Sequence, residues 1–183
     1  MSETEIRNYT IARGFQPRTL ERWLSWEPAD RDALAELAQN LKIGENHLRD
    51  LMDWLEEISL RDRLRIHDLL RSKAIAHIET DPRLGRTDKL KRIKEQVRRL
   101  RFPRLAETED AIRNEIQALK LASEIRLSVP PGLEEGSLRV EFKATSHDQL
   151  KRMVTQLNDA AQKDSVREIF ELLAGRRTTR KQS

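Results

Sequence analysis

Apolar residues recur at intervals of three and four from Leu20 to Leu121, and after Glu124 the interval drops to two. That change restricts the fold more than any other feature. A 3.6-residue period lines apolar side chains along one stripe of a helix, whereas a two-residue period puts them on one face of a strand. The chain is therefore expected to be mainly α, of α+β class. It reads as an N-terminal helical bundle, a central basic helix and a C-terminal unit in which a β-hairpin packs on helices.

Residues 1 to 16 lack a clear period and read as a flexible arm, with Tyr9 and Phe15 available to dock on the body. From 17 to 80 a helical domain is expected. Pro17 suits a first turn, Leu20, Trp23 and Leu24 follow at helical spacing, and Glu27 before Pro28 breaks the run. Leu34, Leu37, Ala38 and Leu41 mark a helix over 30–40, and Leu48, Leu51, Met52 and Leu55 another over 45–58. Ser59 reads as the cap of the next helical region, either one bent helix or two short ones ending at the "DPRLG" stretch.

A second domain is expected over 86–175. It opens with a helix whose stripe is Leu90, Ile93, Val97 and Leu100. Pro103 starts the next helix, with Leu105, Ile112, Ile116 and Leu119. Ile125, Leu127 and Val129, and then Leu138, Val140 and Phe142, alternate with polar neighbours around "PPGLEEGS". They predict an antiparallel hairpin with one buried face. Ser146 caps a helix with Leu150, Met153, Val154 and Leu157 facing inward, and Ile169 and Phe170 belong to a last helix. Residues 176–183 read as a disordered basic tail.

Cysteine is absent, which removes thiol catalysis, Cys-ligated zinc and iron–sulfur clusters. None of the four histidines, His47, His67, His77 and His147, stands in a metal-ligand spacing, and no Gly-rich phosphate loop or nucleophile elbow is present. No catalytic, cofactor or metal site is expected, so the chain does not read as an enzyme. Apolar runs fall short of a membrane span and no signal peptide is recognisable, so a cytoplasmic protein without a membrane partner is expected. Trp23, Trp26 and Trp54 are expected to anchor the N-terminal core rather than stack on bases.

The net charge of +4 hides a segregation. Residues 1–59 hold 7 Lys/Arg and 12 Asp/Glu, residues 60–105 hold 15 and 6, and residues 106–183 hold 13 of each. Within "RTDKLKRIKEQVRRLRFPR", the stripe occupies one side and leaves cations on the remainder. Arg86, Lys91, Arg92, Lys94, Arg98, Arg99, Arg101 and Arg104 are the candidate phosphate contacts. The alternative is that these cations are solvated, or pair with the acidic first third of the chain.

The stretch "LAELAQNLKIGENHLRDLMDWL" resembles the helix-turn-helix superfamily at Leu37, Ala38, Leu41, Ile43, Leu48 and Leu51, with Ala38 as the small contact residue. Lys42 stands where Gly is usual in that turn. The resemblance implies a recognition helix from Glu45, with Asn46, His47 and Arg49 as base-contacting candidates. Against it, "ENHLRDLMDWLEE" carries one Arg and five Asp/Glu, a balance that phosphates repel. The run "SLRVEFKATSHDQLKRMVTQL" is similar to the strand and helix through which ParB-type partition proteins dimerise. It implies a homodimer and no nucleotide chemistry. A hairpin with a free edge can be completed by a second copy.

The expected function is that of a bacterial-type, non-catalytic DNA-binding protein, a transcriptional regulator or a DNA-maintenance or partition accessory factor. The alternative is an adaptor whose acidic helical bundle binds a protein partner, with the basic helix structural or in contact with RNA.

Overall fold

In the computed structural model, which describes residues 2 to 176, the expected arm is a helix: Glu3–Ala12, α1. Ser2 accepts a hydrogen bond from the Glu5 N–H, and the Glu5 carboxylate accepts one from the Ser2 N–H at 2.7 Å, a reciprocal cap. Packing then holds the helix. Ile6 is fully buried, Tyr9 meets Phe15 and Trp23 edge-on, and the Tyr9 hydroxyl shares its one proton between the Ala38 and Ile43 carbonyls, 2.9 and 2.7 Å away. With so few apolar residues, α1 shows no stripe, which is why periodicity passes over it.

The first unit, residues 1–102, continues with α2 (Pro17–Leu24), α3 (Pro28–Leu41), α4 (Glu45–Asp62), α5 (Ile66–Leu70), α6 (Lys73–Thr80) and α7 (Arg86–Arg101). Pro17 and Pro28 open α2 and α3, where a missing N–H leaves no helical bond unmade. α4 runs past its expected end, because Ser59 is not a cap. Its hydroxyl donates to the Leu64 carbonyl, and Arg63 turns the chain at φ 57°. The region beyond is the two-helix alternative, α5 and α6.

One core unites these helices. Leu34, Leu37, Ala38 and Leu41 of α3 meet Leu48, Leu51, Met52, Leu55 and Ile58 of α4, together with Ile66, Leu69, Ile75, Ile93 and Val97 from α5, α6 and α7. Each fully buried Leu or Ile stabilises the fold by about 1.5–3 kcal/mol relative to exposure. α7 packs on α3, α4 and α6, so the basic helix belongs to this unit and not to an 86–175 domain. Ile93 and Val97 find their cover here, and the boundary falls between Phe102 and Pro103.

The second unit comprises α8 (Pro103–Ala118), β1 (Ile125–Ser128), β2 (Arg139–Phe142), α9 (His147–Ala161) and α10 (Asp164–Leu173). α8 packs chiefly on α10, around a small core of Ile112, Leu119, Ala160 and Ile169. β1 and β2 form the expected antiparallel hairpin, with Ile125 opposite Phe142 and Leu127 opposite Val140. Its apolar face is only half covered. Ile125 is buried, whereas Val140 and Phe142 are 44% and 40% exposed. α9 departs from expectation in the same way: Met153 and Ala160 are buried, but Leu150 and Val154 are exposed, as is Phe170 of α10. Too few elements surround the hairpin and α9 to cover every apolar residue they carry.

Gly175 adopts φ 72° just beyond α10, a left-handed position suited to glycine. All but Arg176 of the expected tail lies outside the described residues. Among the described residues, no helix is long and apolar enough to cross a membrane.

Candidate nucleic-acid interface

The connection from α3 to α4 is the tight turn on which the helix-turn-helix resemblance depends. Lys42 closes α3 at φ 54°, ψ 51°, a left-handed conformation that costs a non-glycine residue about 1–2 kcal/mol. Four hydrogen-bond contacts hold it there. The Ile43 N–H donates to the Ala38 carbonyl at 3.0 Å, the Arg13 guanidinium donates to the Lys42 carbonyl at 2.7 Å, and Tyr9 bridges Ala38 and Ile43. α1 is thus the brace of the turn. Ala38 and Ile43 are fully buried, and Gly44 leads into α4 with extended backbone.

The acids of α4 that argue against phosphate are each engaged inside the first unit. Glu45 accepts from the Thr19 hydroxyl at 2.6 Å and the Gln16 N–H at 2.9 Å, bonds that hold its carboxyl below the usual range. Asp53 and Glu56 share the Arg22 guanidinium, each at 2.6 Å, and Glu56 also accepts from the Trp26 indole N–H. The Glu56 bond, above all, holds the Arg22 proton more tightly than in free arginine. Asp50 pairs with Lys94 at 2.7 Å, and Glu57 with Arg101 at 2.6 Å.

The last two pairs show how α4 and α7 meet. Asp50 to Glu57 and Lys94 to Arg101 are both steps of seven residues, so the helices run side by side in the same sense and the ion pair repeats two turns on. His47, Asp50, Trp54 and Glu57 form the α4 edge of this contact. Arg61 ends it by donating to the Leu100 and Arg101 carbonyls, a cation on the C-terminus of α7.

Between the two helices lies an open groove of about 590 Å³, lined by His47, Trp54, Thr87, Leu90, Lys91, Lys94, Glu95 and Arg98. Its walls are basic and its floor is apolar. The Lys94 ammonium sits 5.1 Å from the Trp54 ring centre and 3.2 Å from His47 Nδ1. Arg98 is held by both oxygens of Glu95 at 2.8 Å.

Of the sequence-predicted residues, His47, Lys91, Lys94 and Arg98 come together in this groove. Asn46 and Arg49 lie exposed on the adjoining first turns of α4. Arg86, Lys91 and Arg92 are exposed and make no ion pair among the described residues. Lys94 and Arg101 are instead tied to α4, the alternative arrangement for the basic segment, and Arg99 is half-buried. Arg104 lies in the second unit, in a hollow with Thr108, Leu172, Gly175 and Arg176.

Trp54, Thr87, Leu90 and Glu95 complete the groove lining; the sequence assigns Trp54 and Leu90 to the core and none of the four to a site. Trp23 is fully buried as expected of an anchor, but Trp54 is half-buried and faces the groove. Its position seven residues after His47 was the available signal. Away from the groove, His67 Nδ1 lies 2.7 Å from Asp30. Among the described residues, no group of three or more His, Asp or Glu side chains is placed to hold a metal ion.

No family model matches the chain, and neither a curated protein nor a solved structure shows significant similarity to it.

Proposed function

We propose that the chain is a non-catalytic DNA-binding protein, a transcriptional regulator or a DNA-maintenance accessory factor, and that the first unit contacts the duplex through the start of α4 and the outer face of α7. One observation carries this. The base-reading candidates and the phosphate-contact candidates, far apart in sequence, lie on neighbouring helices of one unit, around a groove shared by His47, Lys91, Lys94 and Arg98. Asn46 and Arg49 have the side chains suited to adenine and guanine edges. Lys91 and Arg92 offer unpaired charge to phosphates. The neutralisation of α4 by Arg22, Lys94 and Arg101 supports the same reading, because it removes much of the repulsion an acidic recognition helix would meet.

A protein partner is the second reading, favoured by the apolar floor of the groove, where Trp54 and Leu90 suit an inserted side chain better than a phosphate. Fluorescence anisotropy on mixed-sequence duplex DNA separates the two. DNA binding predicts a log–log salt slope of several units, and K91Q/R92Q should reduce that slope by about 0.9 for each phosphate no longer neutralised. Absence of binding at low salt, or binding indifferent to salt and to K91Q/R92Q, would reject the DNA reading.

A further inference from the structure

β2 pairs with β1 along one side only. All four of its residues, Arg139 to Phe142, are exposed, and no third strand is present among the described residues. Such an edge offers a row of unpaired backbone groups to another strand. The sequence of β2 says which strand fits.

We propose that a second copy of this chain adds antiparallel to β2, with the two-fold axis through Val140, so that two hairpins join into one four-stranded sheet. A two-fold axis perpendicular to a sheet keeps each face on its own side. The axis must then pass through a residue, not between two, because directly opposed side chains share a face. Centred on Val140, the pairing sets Arg139 against Glu141 of the second copy, Glu141 against its Arg139, Val140 against its Val140, and Leu138 against its Phe142. Every opposed pair is then either opposite in charge or apolar. Such cross-strand pairs stabilise a sheet, and like charges oppose it.

The neighbouring registers lack this match. An axis through Glu141 sets Glu141 against itself and Arg139 against Lys143, while an axis through Arg139 stacks two guanidinium groups. An axis through Phe142 gives Glu141 a Lys143 partner but draws in Lys143 and Ala144, which lie beyond the strand. β1 is a poorer template, since Ile125 is already buried and Arg126 is its one charged residue. The proposed pairing also extends the apolar face at the end where Val140 and Phe142 stand uncovered. It rests on the second unit alone and is independent of DNA binding.

Sedimentation of the full chain over a concentration series, without nucleic acid, tests the proposal. The parent chain should dimerise. R139E, and separately E141R, should each weaken dimerisation about tenfold or more, by setting like charges opposite one another twice across the axis. Mixing the two single variants should restore dimers, because each charge then meets its opposite in the other copy; so should the double variant R139E/E141R. Circular dichroism on each variant confirms folding. As a second measurement, V140C should form an intermolecular disulfide in this cysteine-free chain, and E141C should not. A parent chain that stays monomeric at high concentration would overturn the proposal. So would dimerisation indifferent to R139E, or single variants that fail to rescue each other.

Discussion

Ile93 and Val97 of α7 are wholly buried in the first unit, whereas Val140 and Phe142 of β2, no less apolar, remain about two-fifths exposed in the second. Charges follow the same contrast. In the first unit Arg22, Lys94 and Arg101 reach acids on a different helix, while in the second the ion pair of β2, Arg139 with Glu141, is a 4.0 Å contact between near neighbours on one strand. The first unit buries the stripes that face its core and engages most of its acids, leaving single apolar residues such as Ile11 and Leu60 and a few cations on the surface. The second has apolar and charged residues left over in an order that matches itself. The two proposals start from what each unit leaves unsatisfied: positive charge on the first, a strand edge on the second.

The largest expected effect separates the two cores. Trp23→Ala removes a fully buried ring whose N–H donates to the Arg31 carbonyl, and should cost about 3–5 kcal/mol. Ile169→Ala, in the smaller core, should cost about 2–5 kcal/mol. All three tryptophans lie in the first unit, so their fluorescence during urea unfolding reports that unit. The first variant should shift this transition strongly, and the second should leave it in place while lowering the midpoint of the remaining helical signal. A shared shift in both variants would show that the units unfold as one.

A smaller effect probes the brace on the turn. Tyr9→Phe keeps the ring contacts but removes the hydroxyl that serves Ala38 and Ile43, and should destabilise the first unit by about 1–2 kcal/mol in the same assay. An unchanged midpoint would mean that the turn does not need the Tyr9 hydroxyl.

The smallest has the opposite sign. Lys42→Gly removes the side chain from a left-handed position while leaving its carbonyl bond to Arg13 intact, and should stabilise the unit by about 0.5–1 kcal/mol. Lys42→Ala should give no such gain, since alanine is strained there as well. If both variants destabilise equally, the Lys42 side chain itself supports the turn.

Where burial is nearly complete, the pattern of residues already contains the answer. Leu48, Leu51, Met52 and Leu55 define the inner face of α4 at helical spacing, and the hairpin is legible from alternation about "PPGLEEGS". Periodicity fails where cover is incomplete or the contact is polar. Ser2 and Glu5 carry a capping signal three residues apart, but α1 has too few apolar residues to confirm it. His47, Asp50, Trp54 and Glu57 recur at 3, 4 and 3, as helix-facing residues do, yet three of them are polar and read as solvated, and Trp54 reads as a core anchor. Val140 and Phe142 show the reverse error. Alternation identifies a face that can be buried, and whether it is buried depends on elements the local sequence does not describe.

Amide hydrogen exchange on the full chain, with and without duplex DNA at low salt, tests the division of labour most directly. DNA should slow exchange at the start of α4, from Glu45 to Arg49, and along α7 from Arg86 to Arg98, and leave β2 from Arg139 to Phe142 unchanged. Protection confined to the second unit, or no protection anywhere in the presence of saturating duplex, would contradict that division.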